Sequence, residues 1–127
     1  MRKKILVVDD DSELVALLNF NLRKAGFAVG TARDGVEALK KARSIHPDLI
    51  LLDLMLPEMD GFAVCEILRR DPSTSSIPIL ILTALTSQLG RLAGFDCGAT
   101  DYLTKPFSPR LLVNRIEQML KVPGLPA

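Results

Sequence analysis

The chain has 127 residues, 48% of them apolar and 24% charged, and a net charge of +1 at neutral pH. That length suffices for one domain burying about two-thirds of the surface its unfolded form exposes, so neither disulfides nor a structural metal is needed to hold it. The even charge balance excludes a basic stripe for nucleic acid, and no stretch approaches the ~20 apolar residues of a membrane span, so the chain is expected to be cytoplasmic.

Met1-Arg2-Lys3-Lys4 precedes only four apolar residues before Asp9, which does not make a signal peptide. Ile5-Leu6-Val7-Val8 is a continuous apolar run and predicts a strand covered on both faces. Asp11 with Ser12 then reads as a helix N-cap, and Leu14, Leu17, Leu18, Leu22 and Ala25 form one helical stripe stopped by Gly26. Phe27-Ala28-Val29 predicts a second strand. Asp34 opens a capping box with Glu37, and Ala38, Leu39 and Ala42 form the buried face of the helix that follows. Leu49-Ile50-Leu51-Leu52 predicts a third strand, Gly61 to Arg70 a helix ended by Pro72, and Ile79-Leu80-Ile81-Leu82 a fourth strand.

Residues 87–97 predict a fourth helix that contains Gly90 and Gly94. Each glycine costs about 1 kcal/mol relative to alanine, which suits either close packing on the sheet or a pliable element. Tyr102-Leu103 predicts a short fifth strand. The last helix is signalled by Ser108 as N-cap and Pro109 at the first position, with Leu112, Val113, Ile116 and Leu120 inward. Residues 122–127 have linker composition, so one domain over 1–121 is followed by a tail or the start of a linker to an effector domain. Cys65 and Cys97 match no metal-ligand spacing; both fall in predicted helices and read as buried thiols in a reducing compartment.

Five alternations of strand and helix predict a doubly wound α/β domain with helices on both faces of a parallel sheet. On that frame Asp9, Asp10 and Asp11 follow the first strand, Asp53 ends the third, Thr83 ends the fourth and Lys105 follows the fifth. All lie at carboxyl ends of strands, where open α/β sheets bind ligands. Singly each has a plain reading: a cap, a turn residue, a β-branched strand end, a solvated charge. Together they converge carboxylates, a hydroxyl and an ammonium on one rim. Clustered carboxylates repel unless a cation intervenes, and Mg²⁺ accepts one or two carboxylates with phosphate and water. Asp53 is then a candidate nucleophile able to form an acyl phosphate, with Lys105 pairing one phosphoryl oxygen and the Thr83 hydroxyl another.

The strings Ile5-Leu6-Val7-Val8-Asp9-Asp10-Asp11, Leu52-Asp53-Leu54-Met55-Leu56-Pro57-Glu58-Met59-Asp60-Gly61, Ile81-Leu82-Thr83-Ala84 and Gly98-Ala99-Thr100-Asp101-Tyr102-Leu103-Thr104-Lys105-Pro106-Phe107 closely resemble those of two-component response regulator receiver domains. The likeness runs from about Lys4 to Leu120. It implies a CheY-like, flavodoxin-like fold: a single doubly wound five-stranded parallel sheet of order 2-1-3-4-5 with five helices. It implies phosphorelay signalling rather than an enzyme, beyond Mg²⁺-dependent self-phosphorylation from small phosphodonors and autodephosphorylation. Asp53 would be the phospho-acceptor, fed by a sensor histidine kinase or phosphotransfer protein. Asp10, Asp53 and the Met55 backbone carbonyl would bind Mg²⁺, with Asp9 helping through water. Thr83 and Tyr102 would be the switch pair, the Tyr102 ring turning inward on phosphorylation. Lys105 would neutralise the phosphoryl group, the Lys105–Pro106 peptide would be cis, and small Ala84 would keep the site open. The output face would be the fourth helix, fifth strand and fifth helix, controlling an output domain or partner or forming a homodimer.

Some positions depart from the family pattern. Leu111 and Gly90 stand where dimerising members often carry an acid, leaving Arg91, Asp101 and Arg115 as a thinned charge network, and Thr100 replaces a common Asp. Met55 and Leu85 are both apolar, which predicts slow phosphate hydrolysis. Two other functions fit the residues less well. A haloacid-dehalogenase-type phosphatase would be labelled at Asp9, but Glu13 stands where it wants Thr or Val and there is no room for a cap domain. A receiver-like scaffold binding partners without phosphorylation would lack site residues that are all present here.

Overall fold

The computed structural model describes residues 2–84 and 97–121. Five strands, β1 (Lys4–Val8), β2 (Ala28–Ala32), β3 (Leu49–Asp53), β4 (Ile79–Thr83) and β5 (Asp101–Thr104), pair in parallel in the order β2-β1-β3-β4-β5. Among the described residues there are four helices, α1 (Ser12–Lys24), α2 (Gly35–Ile45), α3 (Gly61–Arg70) and α4 (Pro109–Lys121). The helix expected over 87–97 lies outside the described residues apart from Cys97, which sits in a turn, and the expected tail at 122–127 lies outside them too.

Strand periodicity sorts the core. Leu6, Val8, Ile50, Leu52, Ile79 and Ile81 pack in one cluster with Ala38 and Ala42 of α2 and Val64 and Leu68 of α3. The intervening Ile5, Val7, Leu49, Leu51, Leu80 and Leu82 pack with Leu18 and Leu22 of α1 and Leu112 and Ile116 of α4. Both faces are therefore covered, which is why these runs are continuously apolar. Full burial of each such side chain contributes about 1.5–3 kcal/mol.

Local signals act as read from the sequence. Asp11 caps α1 through the Glu13 and Leu14 amides, and Ser108 Oγ accepts from the Leu111 amide at the start of α4. The box on α2 closes one residue wider than expected: Asp34 Oδ1 accepts from the Glu37 amide, while Glu37 Oε1 accepts from the Arg33 amide rather than from Asp34. Two readings need correction. Leu17 is 47% exposed and Ala25 is also exposed; the inward line runs through half-buried Leu14 and buried Leu18 and Leu22, and Leu17 lies about 100° round the helix from Leu18. The second strand covers Ala28–Ala32 rather than Phe27–Val29, because all five residues pair with β1.

The edge holding the strands' amino ends is tied by polar groups. Lys4 donates its amide to Asp48 Oδ2 at 2.7 Å and its ammonium to the Ile45 carbonyl at 3.0 Å. Arg69 on α3 donates to the Ser75, Ile77 and Gly98 carbonyls and to Thr100 Oγ1, at 2.7–3.1 Å. Gly98 has φ of +96°, and a Cβ there would stand 2.6 Å from Arg69 Cγ, so the clamp requires glycine at this turn.

At the opposite rim, α3 begins against the end of β3. A Cβ on Gly61 would stand 2.6 Å from both the Asp53 carbonyl oxygen and Leu54 Cα. Both neighbours are backbone and cannot swing aside. Gly61→Ala is therefore expected to lower unfolding free energy by about 1–3 kcal/mol, the range for overpacking. Urea unfolding checks this, and an unchanged midpoint would show that the β3–α3 loop yields freely.

Candidate functional site

Sheet register brings the acidic residues together. Val8 of β1 is level with Leu52 of β3, so Asp9 and Asp53 come next on neighbouring strands, which run about 4.8 Å apart. Carboxylate oxygens of Asp9, Asp10 and Asp53 lie within 4.8 Å of one another. Asp9 is 2% exposed and Asp53 5%, whereas Asp10 faces solvent.

The cluster is fixed by short contacts. Asp9 Oδ1 accepts from the Asp11 amide at 3.0 Å, and Asp53 Oδ1 accepts from the Met55 amide at 3.0 Å. Those bonds set the rotation of each carboxylate. The other oxygens face Lys105, whose ammonium lies 3.5 Å from Asp9 Oδ2 and 3.4 Å from Asp53 Oδ2. Lys105 comes from the loop after β5, where its amide donates to the Thr83 carbonyl at 2.7 Å and the Lys105–Pro106 peptide is cis.

The electrostatics are unbalanced. The Lys105 ammonium faces the Asp9 and Asp53 carboxylates at long range, and Asp10 adds a third carboxylate to the cluster. Burial, with the charge of Asp53 and a hydrogen bond to it, holds the Asp9 carboxyl above the ordinary value of 3.8 despite the Asp11 amide and Lys105. The donors are hard oxygens with surplus negative charge, and that set fits a hard divalent cation.

Thr83, at the end of β4, is completely buried, and Ala84 beside it is exposed. Tyr102 pairs with Ile81 in the sheet and is 8% exposed. It belongs to the core cluster that contains Leu52, Ile81 and Cys97. Met55 is 65% exposed at the rim, and Leu85 lies outside the described residues. The structure thus joins Asp9, Asp10, Asp53 and Lys105, with Thr83 on the adjoining strand end. Sequence reasoning missed Gly61, whose lack of a side chain lets α3 start against the Asp53 carbonyl; Asp60-Gly61 signalled only a helix start.

The family model for the response regulator receiver domain matches residues 5–117. The chain is 50% identical over 121 residues to the alkaline phosphatase synthesis transcriptional regulatory protein PhoP of Bacillus subtilis, covering 95% of this chain and 50% of that protein. It is 47% identical over 121 residues to the DNA-binding response regulator MtrA of Mycobacterium tuberculosis, covering 95% and 52%. The chain spans about half the length of the curated relatives it matches. Among solved structures, chemotaxis response regulator CheY4 of Vibrio cholerae superposes with a TM-score of 0.88 at 36% identity, over 93% of this chain and 98% of that one. The BeF3-activated N-terminal receiver domain of Klebsiella pneumoniae RstA superposes with 0.87 at 34% identity, over 94% and 99%.

A raised Asp9 carboxyl means that the folded state binds the proton more tightly than the unfolded chain. Its contribution to stability is full below 3.8 and is lost as pH rises through the higher folded-state value. Without divalent cations, Asp9→Asn is therefore expected to be more stable than the parent at neutral pH, the gain fading as pH falls towards 3.8. Thermal unfolding across that pH range checks the sign; equal stability at neutral pH would mean Lys105 already offsets the charge.

Proposed function

The chain belongs to the response regulator receiver family, regulatory domains of two-component phosphorelays, and from that premise we infer that Asp53 is its phospho-acceptor. The observation that carries this reading is the convergence of Asp9, Asp10, Asp53 and Lys105 on one rim of the sheet.

In the proposed reaction an Asp53 carboxylate oxygen attacks the phosphorus of a phosphohistidine on a sensor kinase or phosphotransfer protein. The P–N bond breaks, its electron pair stays on the imidazole nitrogen, and that nitrogen takes a proton from solvent. The Met55 amide, bonded to Asp53 Oδ1, holds the carboxylate for in-line approach. Lys105, beside Asp53 Oδ2, pairs with a transferred phosphoryl oxygen, and the Thr83 hydroxyl hydrogen-bonds another. Asp9, Asp10, Asp53 and the Met55 carbonyl would hold Mg²⁺, which when bound supplies positive charge against the phosphoryl oxygens.

The product carries about −1.5 to −2 charge at neutral pH. Engaging Thr83 biases the segments bearing Ala84 and Tyr102 towards one of two arrangements, and the signal leaves through β5, α4 and the segment 87–97. Asp101 and Arg115, paired at 3.0 Å, join β5 to α4 on this face. That face would contact an output domain, a partner or a second copy. The relatives are transcriptional or DNA-binding regulators twice this length, which supports residues 1–121 as the receiver and 122–127 as the start of a linker to a DNA-binding output. The domain itself would work in the cytoplasm; no described helix is long and apolar enough to cross a membrane.

Intact-mass spectrometry after incubation with acetyl phosphate and Mg²⁺ is expected to show one acid-stable, base-labile phosphoryl adduct, abolished in Asp53→Asn and by EDTA. Lys105→Ala should retain little labelling while keeping the fold. An Asp53→Asn variant labelled as fast as the parent would refute the assignment, and an unlabelled parent would point to a phosphorylation-independent scaffold.

A further inference from the structure

Two nucleophiles stand apart from the carboxylate cluster. Cys65 on α3 is completely buried, and Cys97, in the turn before β5, is 5% exposed. Cys65 Sγ donates to the Cys97 carbonyl oxygen at 3.3 Å. Neither is disulfide-bonded, and the two, 32 residues apart in sequence, pack in one core cluster. Cys65 Sγ already lies against the Cys97 backbone, and a disulfide would bring the two sulfurs to about 2 Å.

The pair is asymmetric. Cys97 lines a surface groove of about 420 Å³ with Glu66, Arg69, Arg70 and Gly98, and Cys65 does not. The Cys65 thiol, and next the Ala99 backbone, hold the Cys97 thiol below its ordinary value of 9.0, against burial and the opposing charge of Glu66. Its hydrogen bond to Cys97 and its burial push the Cys65 thiol up. Cys97 thus lines the groove and is biased towards thiolate, with fully buried Cys65 against its backbone, an order that suits an attacking and a resolving cysteine.

We propose that Cys97 is an oxidation site for hydroperoxides and that Cys65 resolves it as an intramolecular disulfide. The Cys97 thiolate attacks the outer peroxide oxygen and the O–O bond breaks. The leaving hydroxide or alkoxide takes a proton, so the sulfur is oxidised by two electrons to sulfenic acid as the peroxide is reduced to water or an alcohol. The Cys65 sulfur then attacks the Cys97 sulfur, its proton departing with the displaced hydroxide as water. The bond would tie α3 to the turn that leads into β5, and it does not depend on phosphorylation of Asp53.

The test treats the reduced protein with hydrogen peroxide, blocks remaining thiols under denaturing conditions and maps non-reduced peptides. The expected result is simultaneous loss of both thiols with a Cys65–Cys97 cross-linked peptide within single chains. In Cys65→Ser, dimedone should trap sulfenic acid at Cys97 about tenfold more than in the parent, since nothing resolves it. Both cysteines surviving in the parent, oxidation at Cys65 first, or only disulfides between chains would each overturn the proposal. Mapping the parent decides the matter even if the variant does not fold.

Discussion

Three clustered carboxylates, two of them within reach of the Lys105 ammonium, are the constraint around which this rim is arranged. Like charges so close would separate if they could, and the surrounding structure prevents it. Asp9 and Asp53 cannot part because β1 and β3 are locked in register by fully buried residues on both faces. Their carboxylates cannot rotate freely because the Asp11 and Met55 amides hold them. The hydrophobic sheet thus supplies the free energy that keeps an unfavourable charge arrangement assembled. An incoming cation or phosphoryl group finds the repulsion already paid.

Much of this was legible in the chain because parallel strands buried on both faces leave an unbroken apolar signature. Ile5 to Val8, Leu49 to Leu52 and Ile79 to Leu82 could hardly be anything else, and the residues following such runs must share an edge. Asp9, Asp53, Thr83 and Lys105 stand at or just beyond the carboxyl ends of their strands, which that argument can read. The edge strand was less clear, since half-burial of β2 blurs the pattern at Gly30 and Thr31. Leu17 misled for a related reason: on a helix with several leucines, composition alone does not say which line faces in.

Other features had no sequence signal at all. Arg69 finds three of its four acceptors on backbone carbonyls, which carry no residue identity. The tightness at Gly61 depends on where the Asp53 carbonyl lies across the β3–α3 loop. The contact between Cys65 and Cys97 likewise appears only when α3 folds beside the turn before β5. Each is a meeting of distant segments, and local pattern cannot report it.

The polar ties at Lys4 and Arg69 have a mechanical consequence. They fasten the amino ends of β1, β3, β4 and β5 to the adjoining turns, while the opposite margin carries the loops that hold Asp53, Ala84 and Lys105. Such a sheet is stiffened along one side like an anchored beam, with its charged groups at the unanchored end.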